Sequence, residues 1–139
     1  MIEDTIDDLN KLLEYEIGAR DTYAQNISTT TEKSFSKVLE DNRESHSDRV
    51  SSLQDAIKKL EGKAVTSAKV WGTFGKVLGG ATAAMGDDAT IDILARGETT
   101  LLDEYQAMIE KRGNSAILNK LMEKQEESKR RITELKKSA

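Results

Sequence analysis

Neither cysteine nor proline occurs in the 139 residues. The lack of cysteine excludes a disulfide framework, a zinc ribbon and a thiolate nucleophile, so any metal ion would depend on carboxylate, imidazole and water. The lack of proline leaves nothing to break a helix from within; at ordinary usage of about 5% some seven would be expected. Aromatic residues are scarce at 4%, and no stretch approaches the roughly 18 apolar residues of a membrane-spanning helix. Charged residues, at 33%, are abundant. Together these proportions point to one domain of long, uninterrupted helices with charged outer faces.

The 21 basic and 25 acidic residues give a net charge of −4, which argues against a dedicated nucleic-acid partner. The charges are unevenly spread. Residues 1–60 carry 13 acids and 8 bases, whereas 110–139 carry 5 acids and 9 bases, Lys129, Arg130 and Arg131 among them. The opening Met1-Ile2-Glu3-Asp4-Thr5-Ile6 has neither the basic nor the apolar region of a signal peptide. A cytoplasmic protein without membrane insertion is the expectation.

Apolar residues recur at alternating spacings of three and four, the mark of a helix with one buried face. The first stripe is Ile2, Ile6, Leu9, Leu13, Glu16, Arg20, Tyr23 and Ile27, and the second is Phe35, Leu39, Asn42, His46, Val50, Leu53, Ile57 and Leu60. Ser28 to Thr31 separate them and offer an N-cap. A third stripe runs from Ile91 through Leu94, Glu98, Leu101, Leu102 and Tyr105 to Met108 and Ile109, capped by Asp87 or Asp88 and closed by Gly113. The fourth starts near Asn114 or Ser115 and holds Ile117, Leu118, Leu121, Gln125, Ser128 or Lys129, Ile132 and Leu135. Six of the nine glycines fall between Gly62 and Asp88. There Ala68, Trp71, Phe74 and Leu78 predict a short helix lying across the body. The resulting fold class is all-α: one four-helix bundle over 1–139, with a hairpin at 2–60, a crossover at 61–87 and a hairpin at 88–137.

The halves repeat. A shift of 82 residues lays Glu16 on Glu98, Tyr23 on Tyr105, Leu39 on Leu121, Arg49 on Arg131 and Leu53 on Leu135. One offset shared by two helices and their turn predicts two hairpins related by a pseudo-two-fold axis.

A buried stripe interrupted by polar groups needs a reason. The interruptions are Glu16, Asn42, His46, Glu98 and Gln125, with Arg20, Arg43, Ser128 and Lys129 at the borders, and all stand at similar distances from the turns. Helical bundles hold two iron or manganese ions with one carboxylate on each of two helices and a Glu-x-x-His on each of the others. The equivalent positions are Glu16, Arg43, His46, Glu98, Gln125 and Ser128. Glu16, His46 and Glu98 carry ligating side chains, whereas Arg43 brings a cation and Gln125 and Ser128 lack the carboxylate and imidazole. The expectation is a degenerate site in which these residues, with Lys129, Tyr23 and Tyr105, form a polar core layer. Glu16 would pair with Arg43 or Arg20, and Glu98 with Gln125, Lys129 or a tyrosine. Glu16, His46 and Glu98 could also hold a single iron, manganese or zinc ion.

With Gly97-Glu98, Tyr105 and the Trp71 segment in place, the chain from about Asp8 to Leu135 resembles the ferritin-like superfamily. The resemblance is to its small bacterial four-helix-bundle proteins, described mainly as a domain of unknown function. It implies a bacterial soluble protein of unsettled biochemical role, in some cases associated with stress responses. With three of the six ligand positions intact, the expectation is an accessory or interaction protein rather than an enzyme. A homodimer or a protein partner would dock on the Trp71 segment, where Trp71, Phe74 and Leu78 offer apolar surface. The alternative is a metal-binding protein or weak iron oxidase using the Glu/His cluster.

Overall fold

A computed structural model describes residues 2–27, 33–68 and 86–138. They form four helices, α1 (Ile2–Ile27), α2 (Lys33–Lys59), α3 (Asp87–Arg112) and α4 (Ala116–Ser138). Each follows an apolar stripe read from the sequence. Acids in the first turns of α1 and α3 and bases in the last turns of α2, α3 and α4 complement the helix dipoles. Of two helix starts, one differs from expectation and one agrees with it. Gly86, not Asp87 or Asp88, is the N-cap of α3, and no side chain caps it. At α4, Ser115 is the cap, its Oγ accepting from the Leu118 amide at 3.2 Å. Gly113 closes α3 as expected, with φ of 80° and its amide on the Ile109 carbonyl at 2.7 Å. The Ser28–Thr31 cap and the short helix around Trp71, Phe74 and Leu78 lie outside the described residues.

Cross-helix contacts fix the topology. Asp8 meets Arg112 while Tyr23 meets Glu98, so α1 and α3 are antiparallel. Asn42 meets Arg131 while Arg49 meets Gln125, so α2 and α4 are antiparallel too. Around the bundle the order is therefore α1, α2, α4, α3, and α2 and α3 run in the same direction. A 26-residue helix is about 39 Å long, so the link between them joins the end of α2 to the start of α3 at the opposite end of the bundle.

The start of this link is tightly specified. The Glu61 amide bonds the Lys58 carbonyl and the Gly62 amide the Ile57 carbonyl, both at 2.9 Å, a Schellman closure with Glu61 at the left-handed position (φ 62°). A Cβ on Gly62 would stand 2.8 Å from Ile6, so this glycine allows the backbone to lie on α1. Asn10 then bonds the Lys63 carbonyl and the Val65 amide, each at 2.9 Å, and Ala68 reaches the level of Gly18. The chain thus climbs α1. Because Glu61 carries a side chain where glycine is favoured, Glu61→Gly is expected to stabilise the fold by roughly 0.5–1 kcal/mol. Urea unfolding checks this; a loss of stability would contradict it.

The apolar core is divided in two. Leu9, Leu12, Leu13, Val50, Leu53, Ile57 and Leu101 are buried toward one end, and Phe35, Leu39, Ile91, Leu94 and Ile132 toward the other. Between them lies a layer of fully buried polar side chains. Ile2, first in the α1 stripe, is outside the core at 63% exposure.

Candidate functional site: a buried ionic layer

Every helix contributes to this layer. Glu16 and Tyr23 come from α1, Asn42, His46 and Arg49 from α2, Glu98 and Tyr105 from α3, and Gln125 and Ser128 from α4; none is more than 2% exposed. Their spacings, 16 to 23, 42 to 46 to 49, 98 to 105 and 125 to 128, keep each set on one helix face.

His46 is the hub. Its Nδ1 lies 2.5 Å from Glu16 Oε1 and its Nε2 3.0 Å from Glu98 Oε2. Tyr23 stacks on the ring, with centroids 5.5 Å apart and 22° between planes. The two tyrosines cross over between the hairpins: Tyr23 donates to Glu98 at 2.7 Å, and Tyr105 donates to Glu16. This reciprocal exchange is what a two-fold relation between hairpins requires. Asn42 donates to the Tyr23 hydroxyl at 3.0 Å and to the Ser128 carbonyl at 3.0 Å. Gln125 donates to Glu98 Oε1 and to the Glu98 carbonyl, both at 2.9 Å.

Arg49 completes the layer from the α2–α4 side. Its Nη1 donates to Gln125 Oε1 at 2.7 Å, and its Nη2 lies 2.9 Å from Ser128 Oγ and 2.8 Å from His46 Nδ1. Its Nε is 3.3 Å from Glu16 Oε2 but makes no hydrogen bond, so that contact is purely ionic.

Charge balance follows from the protonation states. Burial on its own would lower the His46 pKa, and Arg49 adds to that, but the Glu98 and Glu16 carboxylates outweigh both and hold it above its ordinary value. Burial pushes Glu98 upward; His46, Arg49 and Gln125 prevail and bring it below the ordinary value. Tyr23 and Tyr105 are raised well above theirs by burial and by the glutamates they bind, which keeps both as donors. With His46 protonated, the formal charges of Glu16 and Glu98 are matched by those of His46 and Arg49. In the imidazolium both ring nitrogens donate, and Arg49 Nη2 finds its acceptor in Ser128. In the neutral ring Nδ1 becomes an acceptor for Arg49 instead.

The sequence-derived positions divide. Glu16, His46, Glu98, Gln125, Ser128, Tyr23 and Tyr105 are brought together. Arg43 is not: its side chain is 43% exposed and lies 3.8 Å from Glu40. Asn42 takes the inward direction, and adjacent helical residues point about 100° apart. Arg20 turns to Asp21 at 3.0 Å. Lys129 lies half-buried on an outer recess beside Leu102 and Glu126. The partner of Glu16 is therefore Arg49, whose signal in the sequence was its position three residues after His46.

An antiparallel bundle with a long crossover and a polar layer crossing all four helices is the ferritin-like arrangement. This chain belongs to the family described as Domain of unknown function (DUF2383), whose profile matches residues 4–111. Its fold is similar to that of a crystal structure from Bacillus anthracis str. Ames titled as ferritin like, diiron-carboxylate proteins. The TM-score is 0.69 at 18% identity, over 99% of this chain and 93% of that one. No curated protein matches the sequence.

The family resemblance raises the question of a di-metal centre, and the donor set does not fit one. Such a centre needs several carboxylates to offset about four positive charges. Here the charge of Glu16 and Glu98 is already met by His46 and Arg49, and the guanidinium lies among the atoms that would have to ligate. Among the described residues no group of three or more His, Asp or Glu is arranged to hold a metal ion.

Proposed function

We propose that the chain is a non-enzymatic accessory or interaction protein on a ferritin-like frame, in which two protein cations take the structural place of metal. The observation that carries this reading is Arg49, buried and within 3.3 Å of Glu16 while its Nη2 is 2.8 Å from His46. A buried layer of this kind fixes helix register without a bound ion. The bacterial, cytoplasmic and stress-linked setting expected from the family resemblance belongs to the same proposal, as does partner binding through the Trp71 segment.

The alternative has Glu16, His46 and Glu98 binding a single iron, manganese or zinc ion. It is favoured by the presence of two carboxylates beside one imidazole, and it requires Arg49 to swing out, His46 to give up one proton, and one glutamate to move from its ring nitrogen to the side that ligates. Anaerobic loading of the untagged protein with Fe(II), followed by metal analysis, tests both. The expected result is far less than one iron per chain. Two irons with oxygen-dependent oxidation would overturn the proposal, and one ion lost in His46→Ala would establish the alternative.

A further inference from the structure

The outer face of α2 and α4 carries an open groove of about 830 Å³, and none of its lining residues belongs to α1, α3 or the described part of the crossover. Its floor is made of small or apolar side chains, including Ser45, Ser52, Ala56, Ile117 and Leu121. Its walls differ in the sign that predominates. Asp41, Glu44, Asp48 and Asp55 outnumber Lys59 on the α2 side, and Lys120, Lys124 and Arg131 outnumber Glu127 on the α4 side. Among the described residues no ion pair bridges the walls; Asp41 pairs within α2, and Lys124 and Arg131 pair within α4.

Register turns this into a self-complementary pattern. The contacts Asn42–Arg131, Ser45–Ser128 and Arg49–Gln125 fix how α2 lies against α4. They put Asp41 near the level of Arg131, Asp48 near that of Lys124 and Asp55 near that of Lys120, each within two residues, or about 3 Å along the axis. A two-fold axis along the groove, parallel to the helices, exchanges α2 and α4 without changing level. It would set each aspartate of one copy near a base of the other, with Glu127 the one acid in the facing α4 row.

From this we infer that the α2–α4 face is a docking surface for a second copy of this chain, in a parallel two-fold dimer with Asp48 opposite the partner's Lys124. The inference extends the interaction reading above. It is independent of the Trp71 segment and of whether metal binds, so its failure leaves the iron-loading result unaffected.

Sedimentation of the full-length protein and of two charge-reversed variants, Asp48→Lys and Lys124→Glu, tests it. Both positions are exposed, and circular dichroism would verify that the variants fold. The wild type should dimerise, more weakly in high salt. Each variant alone should dimerise at least about tenfold more weakly, because two like-charge contacts replace two favourable ones. An equimolar mixture should recover dimer, since the two reversed charges then face each other across the groove and the second contact stays native. A wild type that stays monomeric at every concentration would overturn the inference. So would variants that dimerise like the wild type, or a mixture that fails to recover.

Discussion

Replacing Arg49 by methionine is expected to destabilise the bundle by about 3–5 kcal/mol, the range for removing one partner of a buried ion pair. At about 2–4 °C per kcal/mol for a chain near this size, melting should fall by roughly 6–20 °C. The loss is larger than that of an ordinary hydrogen bond because the variant removes the buried cation beside Glu16 as well as the donor to the Gln125 side-chain carbonyl. The complementary experiment removes the whole set: Glu16, His46, Glu98 and Arg49 to apolar residues of similar volume, with Tyr23 and Tyr105 to phenylalanine. That bundle should be far closer to wild-type stability than Arg49→Met, because no charge is then buried unpaired. Calorimetry on both distinguishes a coupled ionic layer from independent contacts. An Arg49→Met loss below about 1 kcal/mol would mean that the layer is not coupled.

Stability should also fall on both sides of a mildly acidic optimum. His46 has its folded pKa raised above the ordinary 6.5. Its contribution is therefore complete below 6.5 and is lost as pH rises through the folded value. Glu98 has its folded pKa below the ordinary 4.5, so its contribution is complete above 4.5 and is lost as pH falls through the folded value. The plateau accordingly spans the interval between those two ordinary values, and stability declines beyond it at each end. On the alkaline side, loss of the imidazolium proton leaves two carboxylates facing one guanidinium. Urea midpoints measured across pH provide the check, and His46→Gln should flatten the alkaline limb and also weaken the acidic one, because His46 is what most lowers the Glu98 pKa. An alkaline limb that survives in His46→Gln would assign it to another group.

The helices and most of the layer were legible because both rest on spacing. Stripes at three and four residues locate the buried faces, and the 82-residue offset pairs Glu16 with Glu98 and Tyr23 with Tyr105 before any contact is known. The arginines were harder. Arg43 and Arg49 each stand three residues from His46, and the metal-ligand pattern draws attention to the first. The stripe passes from His46 to Val50 and so did not single out the second, which the structure buries beside Val50, whereas residue 43 is one step off the face of Asn42. The repeat hid this, since Arg49 aligns with Arg131, whose side chain is 30% exposed and paired with Glu127. Two-fold symmetry in the sequence thus breaks in the structure at the position that neutralises the layer. The groove was less legible still, because opposite charges on α2 and α4 become facing walls only once those helices are neighbours.

The crossed tyrosine–glutamate bonds bear on how the molecule comes apart. Each hairpin holds a carboxylate whose tyrosine donor resides in the other, Tyr23 for Glu98 and Tyr105 for Glu16. Neither half is self-sufficient: a hairpin that opened alone would strand an acid in its sibling as well as expose its own. Partial unfolding is penalised twice, and the two halves of the duplication should melt as a single cooperative unit.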